Sequence, residues 1–319
     1  MLLPLLGELG LRVSGKAFRY PSPCVLVDNR GCLLLPRLHE TVAVAGDQFT
    51  FTTNSRGLRN RETTPEDASR RQVVVLGDSA AFGAHVNDAE VFTALLDDRL
   101  GPRGAAVVNA SSMYLKGTDQ QLRYLADEGD RLAPDLVILV FNSNNDASDN
   151  SREEFYRDGV PQPWSPRLLQ RLVVASARLP GHAFLTDHSW LFGLFSFFYW
   201  NAHVRFGRPP NLRRTEANES VIKELQAECG RRGAALLVVL LPRLEAIPER
   251  IQSGHFPERS PERLLVDITD RLGVRVLDGS ELFSARGALT DDGHLTVDGH
   301  RALADALTPR LLGWLDSRK

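Results

Sequence analysis

Lysine is nearly missing: only Lys16, Lys116, Lys223 and Lys319 occur, so arginine carries almost all of the positive charge. We read that skew as genome composition rather than function. The 38 basic and 40 acidic residues leave a formal net charge of -2. With no basic field there is no electrostatic footprint for nucleic acid. Cysteine is scarce too. Cys24, Cys32 and Cys229 cannot all pair within one chain, and no CxxC or Cys/His cluster occurs. A disulfide framework and a structural zinc site are therefore not expected. The sequence has no P-loop and no H-E-x-x-H, so no cofactor or metal is expected. His182 and His188 read as ordinary residues, not ligands. Long apolar runs are absent as well. The start, MLLPLLGELGLRVSG, is interrupted by Pro4, and Trp190–Trp200 (WLFGLFSFFYW) has 11 residues. Neither reaches the roughly 20 residues a membrane span needs, so no integral span is expected. The start also lacks the basic flank of a signal peptide. As it stands the sequence reads as cytoplasmic; an anchor upstream of its start would place it at the cell envelope. Trp190–Trp200 reads as a buried helix or a cap over a pocket.

What remains is ordinary for a folded protein: 319 residues, 43% apolar and 24% charged. From residue 72 the chain alternates strands with helices. Apolar runs at 72–77, 105–109, 135–141, 234–241 and 274–277 read as strands buried on both faces. Helical segments at 89–100, 120–132, 216–231, 261–272 and from 297 or 298 towards 312 separate them. Continuous apolar strands with helices between them predict an α/β fold, a doubly wound parallel sheet of about five strands. Its ligands belong beyond the carboxyl ends of the strands. Residues 1–70 read as an N-terminal extension packing on the core, and 71–319 as the main domain. Residues 147–215, rich in Arg, Pro and aromatics, read as a lid-like insertion after the third strand.

The first strand runs into Gly77-Asp78-Ser79, which places a hydroxyl at the sheet's carboxyl edge. At a helix N-terminus, free backbone N–H groups stabilise a developing oxyanion. Ser79 also suits a plain helix cap, and the tripeptide alone does not choose. A serine needs a base, and His294 lies between the last strand and the last helix, in Thr290-Asp291-Asp292-Gly293-His294. Asp291, three residues back, can orient the imidazole, with Asp292 as the neighbouring candidate. His300 reads as packing or hydrogen bonding in the final helix. The third strand ends in Phe141-Asn142-Ser143-Asn144-Asn145-Asp146, and the second in Asn109-Ala110-Ser111-Ser112. Both bring polar donors to the same edge.

Gly77-Asp78-Ser79, Asn145-Asp146 and Asp291-x-x-His294 followed by Leu295-Thr296-Val297-Asp298-Gly299-His300 together resemble the SGNH hydrolases, or GDSL-type esterases. The resemblance runs from about Asn54 to Leu307 and is poor over 147–215. It implies Ser79 as nucleophile, His294 as base and Asp291 as its carboxylate. It implies oxyanion donors at the Ser79 N–H, at Asn145 and, in the second block, at Ser111, where the family usually has glycine. Asn54-Ser55-Arg56-Gly57-Leu58-Arg59, Gly117-Thr118-Asp119-Gln120 and Asp149-Asn150 are similar to a branch found in bacterial cell-envelope and exopolysaccharide loci. The expected function is therefore a serine esterase using an acyl-enzyme. Its substrates would be O-acyl (acetyl) esters of carbohydrate, with hydrolysis and acyl transfer both open. Two alternatives stand beside it: a lipid ester or thioester hydrolase, motivated by Trp190–Trp200, and a non-catalytic carbohydrate-binding or assembly protein, motivated by Ser111. Acyl group, acceptor and oligomeric state are not readable from the sequence.

Overall fold

Five apolar runs become the strands of one parallel sheet. In the computed structural model the described residues are 2–14, 24–26, 32–34, 36–44, 47–113, 117–150, 156–157, 160–161, 189, 191, 214–285 and 287–317. The chain starts with helix α1 (Leu2–Ser14), the antiparallel pair β1 (Cys24–Leu26) and β2 (Cys32–Leu34), and the hairpin β3 (His39–Val44) and β4 (Asp47–Thr52). Then come β5 (Arg71–Leu76), α2 (Ser79–Phe82), α3 (Phe92–Leu100), β6 (Ala105–Asn109), α4 (Thr118–Leu132), β7 (Leu136–Asn142) and α5 (Asp146–Asp149). A short pair, β8 (Tyr156–Arg157) and β9 (Val160–Pro161), precedes α6 (Arg214–Arg231), β10 (Ala235–Leu241), α7 (Ile247–Ser253), α8 (Pro261–Leu272), β11 (Arg275–Asp278) and α9 (Val297–Asp316).

The sheet order is β11-β10-β7-β5-β6, with every pair parallel. Counted along the chain this is the flavodoxin-like winding, in which the direction of travel reverses between the first and third strands. Here those strands are β5 and β7, so the crevice falls between Gly77-Asp78-Ser79 and the loop after Asn142. The strands are continuous apolar runs because both faces are covered. Val73, Val75, Ile138 and Val140 pack against Phe92, Leu96, Leu303 and Leu307 of α3 and α9. Val74, Leu76, Val137 and Leu139 face Leu125, Ile222, Leu225 and Ile268 of α4, α6 and α8. Each such side chain contributes about 1.5–3 kcal/mol by leaving water.

A third apolar cluster joins the hairpin to the site. Phe49 and Phe51 of β4 pack on Phe82 and Ala84, at and just beyond the end of α2. Arg59 ties this corner together. Its Nη1 donates to the carbonyls of Phe82 (3.1 Å) and Gly83 (2.7 Å), its Nη2 to that of Val86 (2.7 Å) and its Nε to Asp88 (2.8 Å). The guanidinium lies 4.9 Å from the Phe82 ring centroid, and burial lowers its pKa against the pull of Asp88. Truncation strands three carbonyls together and removes the ion pair of Asp88, which keeps its bonds from Thr52. Arg59→Ala is expected to cost about 3–5 kcal/mol, read as a lower urea midpoint.

The first turn of α4 is polar yet buried: Thr118, Asp119, Gln120 and Gln121 are all at most 1% exposed. Burial pushes the Asp119 carboxyl up to about 7, against the partial relief of Arg123. Folded Asp119 therefore keeps a proton that an unfolded aspartate loses near 3.8, so folding loses stability as pH rises from about 4 to 7. Asp119→Asn removes that penalty. It should gain on the order of 2–4 kcal/mol at pH 8 and nothing at pH 3.5, measured by denaturation at both.

No helix among the described residues is long and apolar enough to cross a membrane. Most of the proposed lid and nearly all of Trp190–Trp200 lie outside the described residues, as do His182 and His188. Glu8 of α1 accepts from Ser189 Oγ (3.0 Å) and from the backbone N–H of Leu191 (2.9 Å).

Candidate active site

Gly77 has no space for a side chain, because a Cβ there would lie 2.4 Å from Ala81 Cβ. The chain can thus turn directly from β5 into α2. Asp78 caps that helix, accepting from Ala80 N at 2.9 Å. Its carboxylate also accepts from Asn142 Nδ2 (2.9 Å) and is hydrogen-bonded by the Asn145 side chain. Burial raises the Asp78 pKa, and those bonds pull the other way. Asp78 is thereby the tie between the ends of β5 and β7. Ser79 opens the helix, where its backbone N–H has no intrahelical acceptor.

The Ser79 hydroxyl lies 2.8 Å from His294 Nε2, across 215 positions of sequence. His294 sits in a tight turn. Thr290 N donates to the His294 carbonyl (2.8 Å), His294 N donates to Thr290 Oγ1 (3.0 Å), and Leu289 and Leu295 pair across its base. Gly293 is obligatory there. Its φ is +83°, and an added Cβ would lie 2.3 Å from the Asn144 amide nitrogen. The turn is thus pressed onto the loop that follows β7.

Within that turn the carboxylate nearest the imidazole is not the expected one. Asp291 is exposed and makes no ion pair with His294 among the described residues. Asp292 Oδ1 instead lies 3.0 Å from His294 Nδ1, as an ion-pair contact off the N–H line of a hydrogen bond. The reason is local: Thr290 Oγ1 hydrogen-bonds Asp292 Oδ1 and turns that carboxylate back onto the imidazole. Partial burial raises the Asp292 pKa, but the Thr290 hydrogen bond and the attraction of His294 and His85 outweigh it and lower it to about 2. Asp292 is therefore a carboxylate throughout the neutral and mildly acid range.

Ser111 also departs from the expected arrangement. Its backbone N–H donates to Asn109 Oδ1 at 3.1 Å, and its side chain is buried. Once the Asn109 side chain closes that turn, the donor expected of Ser111 is already spent. The Asn109 side chain also donates to Thr93 Oγ1 (3.1 Å) and its backbone N–H donates to Asn60 Oδ1 (2.7 Å), so it knits β6 to its neighbours. Asn145, in the loop after β7, is half-buried with its side chain hydrogen-bonded to Asp78. His300 bonds outside its own helix. Its Nδ1 accepts from Phe92 N (3.3 Å), its ring stacks on Phe92, and burial lowers its pKa to about 3.

One residue that sequence reasoning passed over stands beside the pair. His85 Nε2 lies 3.5 Å from Asp292 Oδ2, and the His85 and His294 rings are 5.1 Å apart. His85, Asp292 and His294 bring three metal-type donor atoms within 4.8 Å of one another. No short motif holds His85; its only sequence signal is its place six residues after Ser79. A cavity of about 860 Å³ lined by Leu136, Ala235, Arg275 and Trp314 lies where the strands begin, at the opposite edge from Ser79.

No protein-family model matches the chain, and no curated protein matches it. Among solved structures it is similar to TesA, with 15% identity, a TM-score of 0.42, and coverage of 75% of this chain and 97% of that one. It is also similar to the psychrotrophic esterase EstA from Pseudoalteromonas sp., at 11% identity and TM-score 0.43, covering 76% and 98% of the two chains. The W190I mutant of Axe2, an acetyl-xylooligosaccharide esterase from Geobacillus Stearmophilus, has 15% identity and TM-score 0.40, with 77% and 96% covered. These are distant likenesses of shape, and the chemistry below rests on the site's own atoms.

Proposed function

We propose that the protein is a serine esterase working through Ser79, His294 and Asp292. The observation that carries this is the 2.8 Å approach of Ser79 Oγ to His294 Nε2 at the N-terminus of α2, with Asp292 on the far ring nitrogen. A helix-capping serine has no need of a histidine at that distance, and here Asp78 already caps the helix. In the forward step Nε2 takes the hydroxyl proton as Oγ attacks the ester carbonyl. Asp292 stabilises the imidazolium. The Ser79 N–H and the Asn145 amide are the donors proposed for the oxyanion. The imidazolium then protonates the leaving alcohol, and water, activated by the same nitrogen, releases the acid and frees Ser79.

For substrate we propose O-acyl esters of carbohydrate, acetyl above all, with transfer to a second sugar hydroxyl as the variant in which an alcohol replaces water. The resemblance of Asn54–Arg59, Gly117–Gln120 and Asp149–Asn150 to the envelope and exopolysaccharide branch supports this choice. A fluorophosphonate probe tests the mechanism: the adduct should map to the peptide bearing Ser79. A protein that stays unlabelled, or labels at another serine, overturns it. Acetylated xylan set against long-chain aryl esters tests the substrate. Faster turnover of the long-chain esters overturns the carbohydrate reading in favour of lipid.

A further inference from the structure

His85 is held in place from three sides. Its backbone has a left-handed φ of +75°, the Phe49 ring stacks on its imidazole at 6.4 Å, and Arg59 holds the carbonyls of Gly83 and Val86 on either side of it. The side chain is 3% exposed, while that of Asp292 is 44% exposed and leaves a way in from solvent. A tetrahedral zinc ion with bonds of about 2.0–2.2 Å needs ligand atoms roughly 3.3 Å apart. The two carboxylate oxygens of Asp292 each face one imidazole: Oδ1 lies 3.0 Å from His294 Nδ1, and Oδ2 lies 3.5 Å from His85 Nε2. One donor atom from each of the three residues lies within 4.8 Å of the other two, so the set has little more than an ångström to close around an ion.

We propose that His85, Asp292 and His294 form a reversible zinc site whose occupation silences Ser79. The silencing rests on the esterase reading; the metal site does not. Two imidazoles and one carboxylate suit Zn²⁺ and its late first-row neighbours, whereas Mg²⁺ prefers an all-oxygen octahedron. Water takes the fourth position. Zinc bound through the lone pair of His294 Nδ1 leaves the ring's single proton on Nε2. That nitrogen then donates to Ser79 Oγ and cannot accept its proton, so the base is lost without any covalent change. The metal also takes the Asp292 charge that would have stabilised the imidazolium.

The test separates binding from turnover. Metal-free Ser79→Ala protein is titrated with Zn²⁺ against a chromophoric chelator, and with Co²⁺ for its tetrahedral absorption band, which needs no further variant. One ion per chain is expected, with no competition from Mg²⁺. Adding His85→Asn, whose side chain tolerates the left-handed backbone, should weaken binding by at least about tenfold. In wild type, Zn²⁺ should abolish ester hydrolysis and EDTA should restore it. Equal affinity with and without His85, absence of the Co²⁺ band, or hydrolysis unaffected by bound zinc overturns the proposal. Zinc held through His85 in a protein with no ester turnover when metal-free would keep the metal site and remove the silencing along with the esterase reading. Hydrolysis without zinc binding does the reverse.

Discussion

Ser79→Ala is expected to lower kcat for ester hydrolysis by about 10⁴–10⁶, and to abolish fluorophosphonate labelling, with little change in melting temperature. The size follows from what the hydroxyl does. In the proposed mechanism its oxygen is the atom that bonds to the acyl carbon. The fold should tolerate the change, because Asp78 rather than Ser79 supplies the helix cap. His294→Ala should fall as far, and the double variant little further, since nucleophile and base act as a unit. Steady-state kinetics on a short aryl acetate measure all three. A Ser79→Ala enzyme that keeps wild-type turnover ends the esterase proposal.

Asp292→Ala is expected to reduce kcat by about 10²–10⁴, while Asp291→Ala stays within a few-fold of wild type. Both aspartates are near enough in sequence to reach His294, and spacing alone favours neither. The turn decides. Its closing bonds between Thr290 and His294, with Gly293 in a left-handed conformation, send Asp291 to solvent and hold Asp292 under the ring. The lower end of that range reflects the exposure of Asp292 and its off-line contact with Nδ1. A collapse in Asp291→Ala with Asp292→Ala unharmed would restore the sequence expectation and overturn the geometric one.

Much of the framework is legible in the sequence because its determinants are local. An apolar run such as Val73–Leu76 is a buried strand wherever it sits, and the strand limits differ from expectation by only a residue or two, at ends that fray in any case. A helix entered from a strand through Gly77-Asp78-Ser79 likewise follows from neighbouring residues. Ser111 is a different case. Its N–H fails as a free donor because the Asn109 amide folds back onto it, a choice made by side-chain direction and invisible to spacing.

By itself, then, the sequence determined the strands, the covering helices and the carriage of Ser79 and His294 to one edge of the sheet. It did so because periodicity and chain polarity act over a few residues at a time. Only the tertiary structure decided that Asp292 and not Asp291 meets the imidazole, and that His85 stands at the same carboxylate. It also revealed Arg59 gripping the turn that carries His85. His85 and Asp292 lie 207 positions apart, and even the neighbours Asp292 and His294 meet only because the turn between them folds back, so side-chain direction here is set by the turns and packing at both ends.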